Sequence, residues 1–183
     1  MAMKTPVSKM TYAQYCVLPD DGKQYEVIDG ELFVTPAPTP RHQEILGELL
    51  FRLHTHVEAN SLGKVYPGRV DIVFDQHTVV QPDVLFISNA RLGIVKEEAI
   101  EGAPDLVVEV LLPSTFYKDL RPKMTAYSQF GVQEYWIVDP EKQTIELHTR
   151  AGEGLQLARS FSSDDTFESP LLPGFRLAVR SIF

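Results

Sequence analysis

The sequence has little of what marks secreted or membrane-embedded proteins. It contains one cysteine, Cys16, among 183 residues. It cannot therefore form an internal disulfide, and a reducing cytoplasm is the simplest location. It has no run of the roughly 20 apolar residues that span a bilayer, and its N-terminus lacks the charged and apolar segments of a secretion signal. We therefore expect a cytoplasmic protein that does not enter the membrane.

Positive charge is also scarce. Lys and Arg total 17 against 25 Asp and Glu, which gives a formal net charge of −8. Because proteins bind nucleic acids largely through Lys and Arg contacts with phosphate, a nucleic-acid surface on this chain would have to be local. The candidate residues for such a basic groove are Arg41, Arg69, Lys118, Arg121 and Lys123.

Motifs for nucleotide cofactors and structural zinc are missing. No Gly-x-Gly-x-x-Gly follows a predicted strand, and there is no Walker lysine motif. One cysteine and five scattered histidines do not form a structural zinc pattern. His54 and His56 differ by two positions, so they cannot share one face of a helix. The chemistry of this chain must therefore depend on other residues.

The pattern of apolar residues predicts one α/β or α+β domain over residues 1–183, with residues 1–10 as a loose arm. An Asp-Gly pair at 29–30 between two β-prone runs predicts a hairpin over 25–34. Predicted helices cover 12–17, 41–59 and 118–130, with a weakly helical stretch before Gly102. The other predicted strands cover 64–66, 70–74, 79–87 with an interruption at Pro82, 105–112, 135–138, 144–148, 155–159 and 175–179. The last three form a peripheral, β-rich C-terminal tail.

Glu109 is the most informative residue. It is the one charge within the apolar run 106–111, which has the pattern of a buried central strand. A buried carboxylate is costly unless it is paired, hydrogen-bonded or bound to a metal. Glu109 is therefore a candidate metal ligand. The alternative is a strand end at which it reaches solvent or a structural arginine.

Asp83 strengthens the metal hypothesis. It follows Pro82 and precedes the apolar run 84–87, so it begins a second predicted core strand. If this strand neighbours the strand of Glu109, the two carboxylates converge at one edge of the sheet. Such a pair suits Mg²⁺ or Mn²⁺, since Mg²⁺ usually takes one or two carboxylates and keeps several waters. The alternative is an ordinary turn acid after proline.

A lysine in the next helix supplies a candidate cation. Lys123 lies one turn before Tyr127, so both occupy one helix face. Its ammonium could orient a water molecule or stabilise charge that develops on a phosphate. The alternative is a solvated helix face that carries Lys118, Arg121 and Lys123.

Several blocks of the chain match a known family, in the family's order. The blocks cover residues 25–32, 38–43, 81–84, 102–110, 113–115 and 131–140. Pro82-Asp83, followed by Glu109 in an apolar strand, resembles the PD-(D/E)xK phosphodiesterase superfamily. The whole set resembles more closely the bacterial Uma-two family of restriction-endonuclease-like proteins. The resemblance implies a mixed β-sheet flanked by helices, with an N-terminal hairpin.

The resemblance also implies roles for residues. The superfamily has a lysine two positions after the acid, where this chain has Leu111, so the resemblance implies that Lys123 replaces it. Glu31 and His42 lie within matching blocks and could complete the metal shell or position a water molecule. The alternatives are a polar hairpin residue for Glu31 and, for His42, a helix-start histidine bonded to backbone.

Two functions are compatible with these observations. The first is a metal-dependent phosphodiesterase that hydrolyses nucleic acid, with DNA as the expected substrate, Asp83 and Glu109 as metal ligands and Lys123 as the catalytic cation. The second is a non-catalytic binding or assembly module that retains the nuclease fold, which the net charge and Leu111 favour. A homodimer is compatible with either function.

Overall fold

A computed structural model describes residues 9–112 and 120–183 of the chain. The helices are α1 (Tyr12–Tyr15), α2 (Pro40–Ala59) and α3 (Leu120–Phe130). The strands are β1 (Gln24–Ile28), β2 (Glu31–Thr35), β3 (Gly63–Pro67), β4 (Ile72–Asp75), β5 (Thr78–Val80), β6 (Val84–Ser88), β7 (Ile100–Glu101), β8 (Leu106–Val110), β9 (Glu134–Asp139), β10 (Thr144–Ala151), β11 (Gly154–Phe161), β12 (Thr166–Glu168) and β13 (Arg176–Ala178). Short 3₁₀ turns cover Asn89–Ile94 and Val179–Ile182.

The strands form two large sheets and one small one. The larger sheet has the order β11-β10-β9-β8-β6-β3, and the second has the order β2-β1-β5-β4-β7. In the larger sheet β8 and β9 are parallel, whereas β8 and β6 are antiparallel. Strands β12 and β13 pair with each other. The result is the mixed α+β architecture that the sequence predicts.

Two hydrophobic clusters cover the two faces of the six-stranded sheet. Alternate residues of a strand point to opposite faces, and β8 shows this clearly: Val108 belongs to the cluster that contains α2 residues, and Val107 to the cluster that contains α3 residues. Glu109 has the same parity as Val107. The alternation therefore directs its carboxylate towards α3.

The local predictions for the N-terminal half are confirmed. Asp29 and Gly30 both have positive φ, of 50° and 80°, as the tight turn of a hairpin requires. The side chain of Thr39 caps α2 by accepting a hydrogen bond from the backbone N–H of His42. Helix α2 buries one stripe of apolar residues against the sheet, as its periodicity predicts.

Three predictions are refined by the structure or fall outside the described residues. The predicted interruption of the run 79–87 at Pro82 is confirmed, and the structure adds that the two parts, β5 and β6, lie in different sheets with residues 81–83 between them. The weakly helical stretch before Gly102 contains a 3₁₀ turn and the short strand β7. The predicted helix start at Lys118 lies outside the described residues.

The predicted N-terminal arm is described only from residue 9 onwards. There the backbone N–H of Met10 donates to the carbonyl of Gly30 at 3.0 Å, so this end of the arm is fixed to the hairpin turn. Within the two described ranges, no helix is long and apolar enough to cross a membrane. That the whole chain forms one domain stays a prediction.

Candidate active site

The two predicted acids meet where β6 begins and β8 ends. Val84 of β6 pairs with Val108 of β8 in an antiparallel register. One further step of this register places Asp83 opposite Glu109. The condition set by the sequence, that the two strands be neighbours, is therefore met.

Contacts with described residues involve one oxygen of the Asp83 carboxylate, Oδ2. Its Oδ2 accepts a hydrogen bond of 2.8 Å from the backbone N–H of Val110 and lies 3.2 Å from Nε2 of His42. Oδ1 accepts no hydrogen bond from the described part of the chain. A Cβ on Gly68 would lie 3.2 Å from the carbonyl oxygens of Pro82 and Asp83, so the absence of a side chain there lets the backbone approach Asp83.

Glu109 is buried and shows the same one-sided arrangement. Its Oε1 accepts hydrogen bonds from Nζ of Lys123 at 2.9 Å and from the hydroxyl of Tyr127 at 2.8 Å. Among the described residues, none donates to Oε2. Burial raises the pKa of Glu109 to about 7, Lys123 opposes this rise, and the charges of Asp83 and Glu26 add to it.

Lys123 is not on a solvated helix face, because it is only 7% exposed. Its Nζ lies 2.9 Å from Oε1 of Glu109 and 2.9 Å from Oε1 of Glu26. Burial lowers the pKa of this lysine, but the two carboxylates raise it more strongly, and the net direction is upward. The ammonium therefore stays charged at neutral pH.

His42 contacts the backbone, as the alternative interpretation expected, and also contacts Asp83; a role in a metal shell or in positioning a water molecule stays a prediction. Its Nε2 lies 3.0 Å from the carbonyl of Val110, a backbone contact, and 3.2 Å from Asp83 Oδ2. Both partners accept, so Nε2 carries the proton. Burial lowers the pKa of His42, but Asp83 and the Val110 carbonyl outweigh it and raise the pKa. Nδ1 is buried without a partner in the described ranges.

Glu26 is the site residue that the sequence analysis missed. It lies on β1, is 1% exposed, and contacts Lys123 through Oε1. The same oxygen accepts a hydrogen bond of 2.7 Å from the backbone N–H of Gln81. The signal was present in the sequence, because Glu26 interrupts an apolar strand in the same way as Glu109.

The structure does not bring Glu31 to this site. Glu26 pairs with Phe33 within the hairpin, whereas Glu31 pairs with Ile28 at the turn end. Glu31 is exposed and lines a separate cavity of about 350 Å³ together with Asp29, Asp75 and Arg121. The proposed support of the metal shell by Glu31 is therefore not matched by the geometry.

A cavity of about 280 Å³ contains the meeting point of the acids. Its polar wall includes Asp83, Glu109, Lys123 and His42. Its apolar lining residues include Pro36, Pro38, Leu46, Leu111, Leu112 and Leu120. The cavity therefore combines charged and apolar groups.

The predicted basic groove is largely absent from the described residues around this cavity. Arg69 and Lys123 line it. Arg41 instead bonds the carbonyl of Phe183 and lies 3.5 Å from Glu44. Arg121 lines the second cavity, and Lys118 is not among the described residues.

The donor chemistry sets limits on a metal. In the part of the chain that the structure describes, no three His, Cys, Asp or Glu side chains group so as to hold an ion. Asp83 and Glu109 offer two carboxylates, each with one oxygen that no described residue bonds. Mg²⁺ usually keeps several waters and takes one or two carboxylates, so this donor set fits a water-rich site and not a closed protein cage.

Comparisons with known proteins agree with this architecture. The model of the Uma2 family, described as "Putative restriction endonuclease", matches residues 11–180. A crystal structure described as a putative nuclease belonging to DUF820, from Anabaena variabilis, has a TM-score of 0.80 and 20% identity, and the match covers 95% of this chain and 97% of that one. No curated protein matches the chain. At this identity the structural likeness shows the fold alone, which is restriction-endonuclease-like, while the family match over most of the chain shows that this protein belongs to the Uma2 family.

Proposed function

We propose that this protein is a metal-dependent phosphodiesterase that hydrolyses nucleic acid, with DNA as its substrate. The observation that carries the proposal is the meeting of Asp83 and Glu109, on adjacent antiparallel strands, beside a buried lysine in one cavity. The family description supports the nuclease class.

The charges of the site favour a divalent cation. Glu26 and Glu109 both contact the ammonium of Lys123, and the charge of Asp83 raises the pKa of Glu109 further, so an added cation would relieve the repulsion among these carboxylates. Asp83 and Glu109 would hold one or two Mg²⁺ or Mn²⁺ ions through their unbonded oxygens. Such an ion lowers the pKa of a water molecule and neutralises charge on the scissile phosphate.

Lys123 is the expected catalytic cation. An ammonium has three N–H donors, and Glu26 and Glu109 use two of them. The third can bond the attacking water or a phosphate oxygen in the cavity, which Lys123 lines. The water oxygen would bond to phosphorus as the ester P–O bond breaks and its electron pair leaves on the departing oxygen, which takes up a proton as the attacking water loses one. Fixed charge at this point stabilises the charge that develops.

Metal binding and cleavage test the proposal together. Mn²⁺ is titrated by calorimetry into the wild type, Asp83→Asn and Glu109→Gln, which keep side-chain size and lose charge. The exposed acid Glu31, changed to Gln, is the matched control. Each protein is then incubated with Mn²⁺ and either plasmid or single-stranded DNA. We expect binding and cleavage by the wild type and Glu31→Gln only, whereas unaltered Mn²⁺ affinity in both site variants would rule the metal site out.

The second candidate is a binding or assembly module without turnover. The net charge of −8 and the few basic residues that line the cavity favour it, because nucleic-acid binding depends on phosphate contacts. Mn²⁺ binding without cleavage of either DNA would support this function. A homodimer and a cytoplasmic location stay predictions for both candidates.

A further inference from the structure

Strand β1 holds the segment that carries Asp83 through side chains. Glu26 Oε1 accepts a hydrogen bond from the backbone N–H of Gln81 at 2.7 Å, and Gln24 Nε2 donates one to the carbonyl of Gln81 at 2.8 Å. Gln24 and Glu26 are two positions apart, so they lie on one face of the strand. Both backbone polar groups of Gln81 are therefore satisfied by β1 side chains.

This anchoring replaces a missing stretch of backbone ladder. The pairing of β1 with β5 consists of Val27 with Val79. Two residues later, Gln81 is bonded by side chains instead, and Pro82 beyond it has no N–H to donate. The place of Asp83 therefore depends on what holds Gln81.

The same oxygen of Glu26 also fixes the lysine. Glu26 Oε1 lies 2.9 Å from Nζ of Lys123, and Lys123 bonds Glu109 on its other side. One buried carboxylate thus joins the segment of Asp83, the lysine and, through the lysine, Glu109. Glu26 is not among the residues that line the cavity, so its action on bound phosphate is indirect.

We propose that Glu26 is the positioning residue of this active site, which places Lys123 and the Gln81–Asp83 segment together so that lysine and acids act on one phosphate. The proposal rests on the proposed function. A role in folding alone would leave turnover of the folded protein unchanged, which separates the two explanations.

The first test is steady-state hydrolysis of bis(p-nitrophenyl) phosphate with Mn²⁺. Glu26→Gln keeps an acceptor for the Gln81 N–H but removes the charge that holds Lys123. We expect kcat to fall by about 10- to 100-fold, the range usual for partners of site residues, with KM and the melting temperature little changed. Glu31→Gln, on the same hairpin, is the control and should match the wild type. A wild-type kcat in Glu26→Gln would overturn the proposal.

A double-mutant cycle tests the route through the lysine. Lys123→Met removes the ammonium and keeps an unbranched side chain. If Glu26 acts through Lys123, then Glu26→Gln should slow the Lys123→Met variant no further, because residues that act as a unit are not additive. Fully additive losses in kcat would contradict this route.

Amide exchange of the metal-free protein gives a readout that needs no activity. Glu26→Ala should speed exchange at the Gln81 amide by about tenfold, as expected for one lost hydrogen bond, whereas Glu26→Gln and Glu31→Gln should not. If the wild type hydrolyses no phosphodiester, the proposed function fails, and this exchange still decides whether Glu26 positions the segment. An unchanged Gln81 rate in Glu26→Ala would overturn the positioning role.

Discussion

The two faces of the six-stranded sheet bury different kinds of side chains. The face towards α2 is a hydrocarbon core in which Leu53 and Trp136 are fully buried. The face towards α3 also has a hydrophobic cluster, but it buries in addition an ion pair between Lys123 and Glu109 and the hydroxyl of Tyr127. Apolar burial stabilises a fold, whereas a buried ion pair often costs as much in desolvation as it returns. The comparison indicates that the ion pair contributes less to the stability of the fold than the apolar face does, as expected of groups kept for the function proposed above.

The largest expected effect is a loss of DNA cleavage without a loss of thermal stability. In Glu109→Gln, the amide oxygen can still accept from Lys123 and Tyr127, so we expect a melting temperature close to that of the wild type. Hydrolysis of DNA should fall to background because the metal loses a ligand. Thermal melting and a cleavage assay on the same preparation check both parts. Normal cleavage by Glu109→Gln would contradict the functional difference between the two faces.

The next prediction concerns the α2 face, where a substitution should destabilise the fold and leave metal binding unchanged. Leu53→Ala removes a fully buried side chain from the α2 face and should lower the free energy of unfolding by about 2–5 kcal/mol. The folded fraction should keep its Mn²⁺ affinity, since Leu53 contacts no proposed ligand. Urea unfolding and calorimetry below the transition measure the two quantities. A selective loss of Mn²⁺ binding would show that the two faces are coupled.

A smaller effect is the pH dependence of the unfolding free energy of the metal-free protein. Because the folded pKa of Glu109 is raised to about 7 from 4.5, folding favours its protonated form. Its stabilising contribution is complete below pH 4.5 and is lost as pH rises through 7. The unfolding free energy of the wild type relative to Glu109→Gln should fall by an amount on the order of 1–3 kcal/mol over this window. Urea unfolding of both proteins at several pH values measures it; a flat difference contradicts the raised pKa.

The smallest effect should come from a substitution of Arg121, which lines the second cavity. Arg121→Ala changes an exposed residue on the opposite side of α3 from Lys123 and should alter the unfolding free energy by no more than about 0.5 kcal/mol. Cleavage should also stay at the wild-type rate. A strong loss of cleavage would mean that DNA contacts this surface, and that the groups needed for cleavage extend beyond the cavity that contains Asp83 and Glu109.

Local sequence signals predicted much of the fold and part of the site. The Asp29-Gly30 turn and the periodicity of α2 depend on neighbours in the chain, and the structure has both. A lone charge in an apolar strand led to Glu109, which is brought together with Asp83 and Lys123. These features could be predicted because burial and turn geometry leave a local pattern.

Relations between distant segments could not be predicted in this way. Glu26 and Glu31 lie on one hairpin, and only the docking of that hairpin against β5 decides which carboxylate reaches Lys123. The division of residues 79–87 between two sheets is likewise a tertiary choice. Which of the candidate basic residues would line a groove could not be predicted for the same reason, because helix and strand assignments do not fix which surface an arginine faces.

The position of Asp83 between β5 and β6 has a thermodynamic consequence. Asp83 directly precedes β6, and Glu109 lies on β8, the antiparallel neighbour of β6 in the six-stranded sheet. An ion that binds both carboxylates would bind only while β6 and β8 are paired, so its binding free energy would add to the stability of that pairing. Metal occupancy and local separation of these two strands would then oppose each other, and the concentration of free cation would set how often the strands separate.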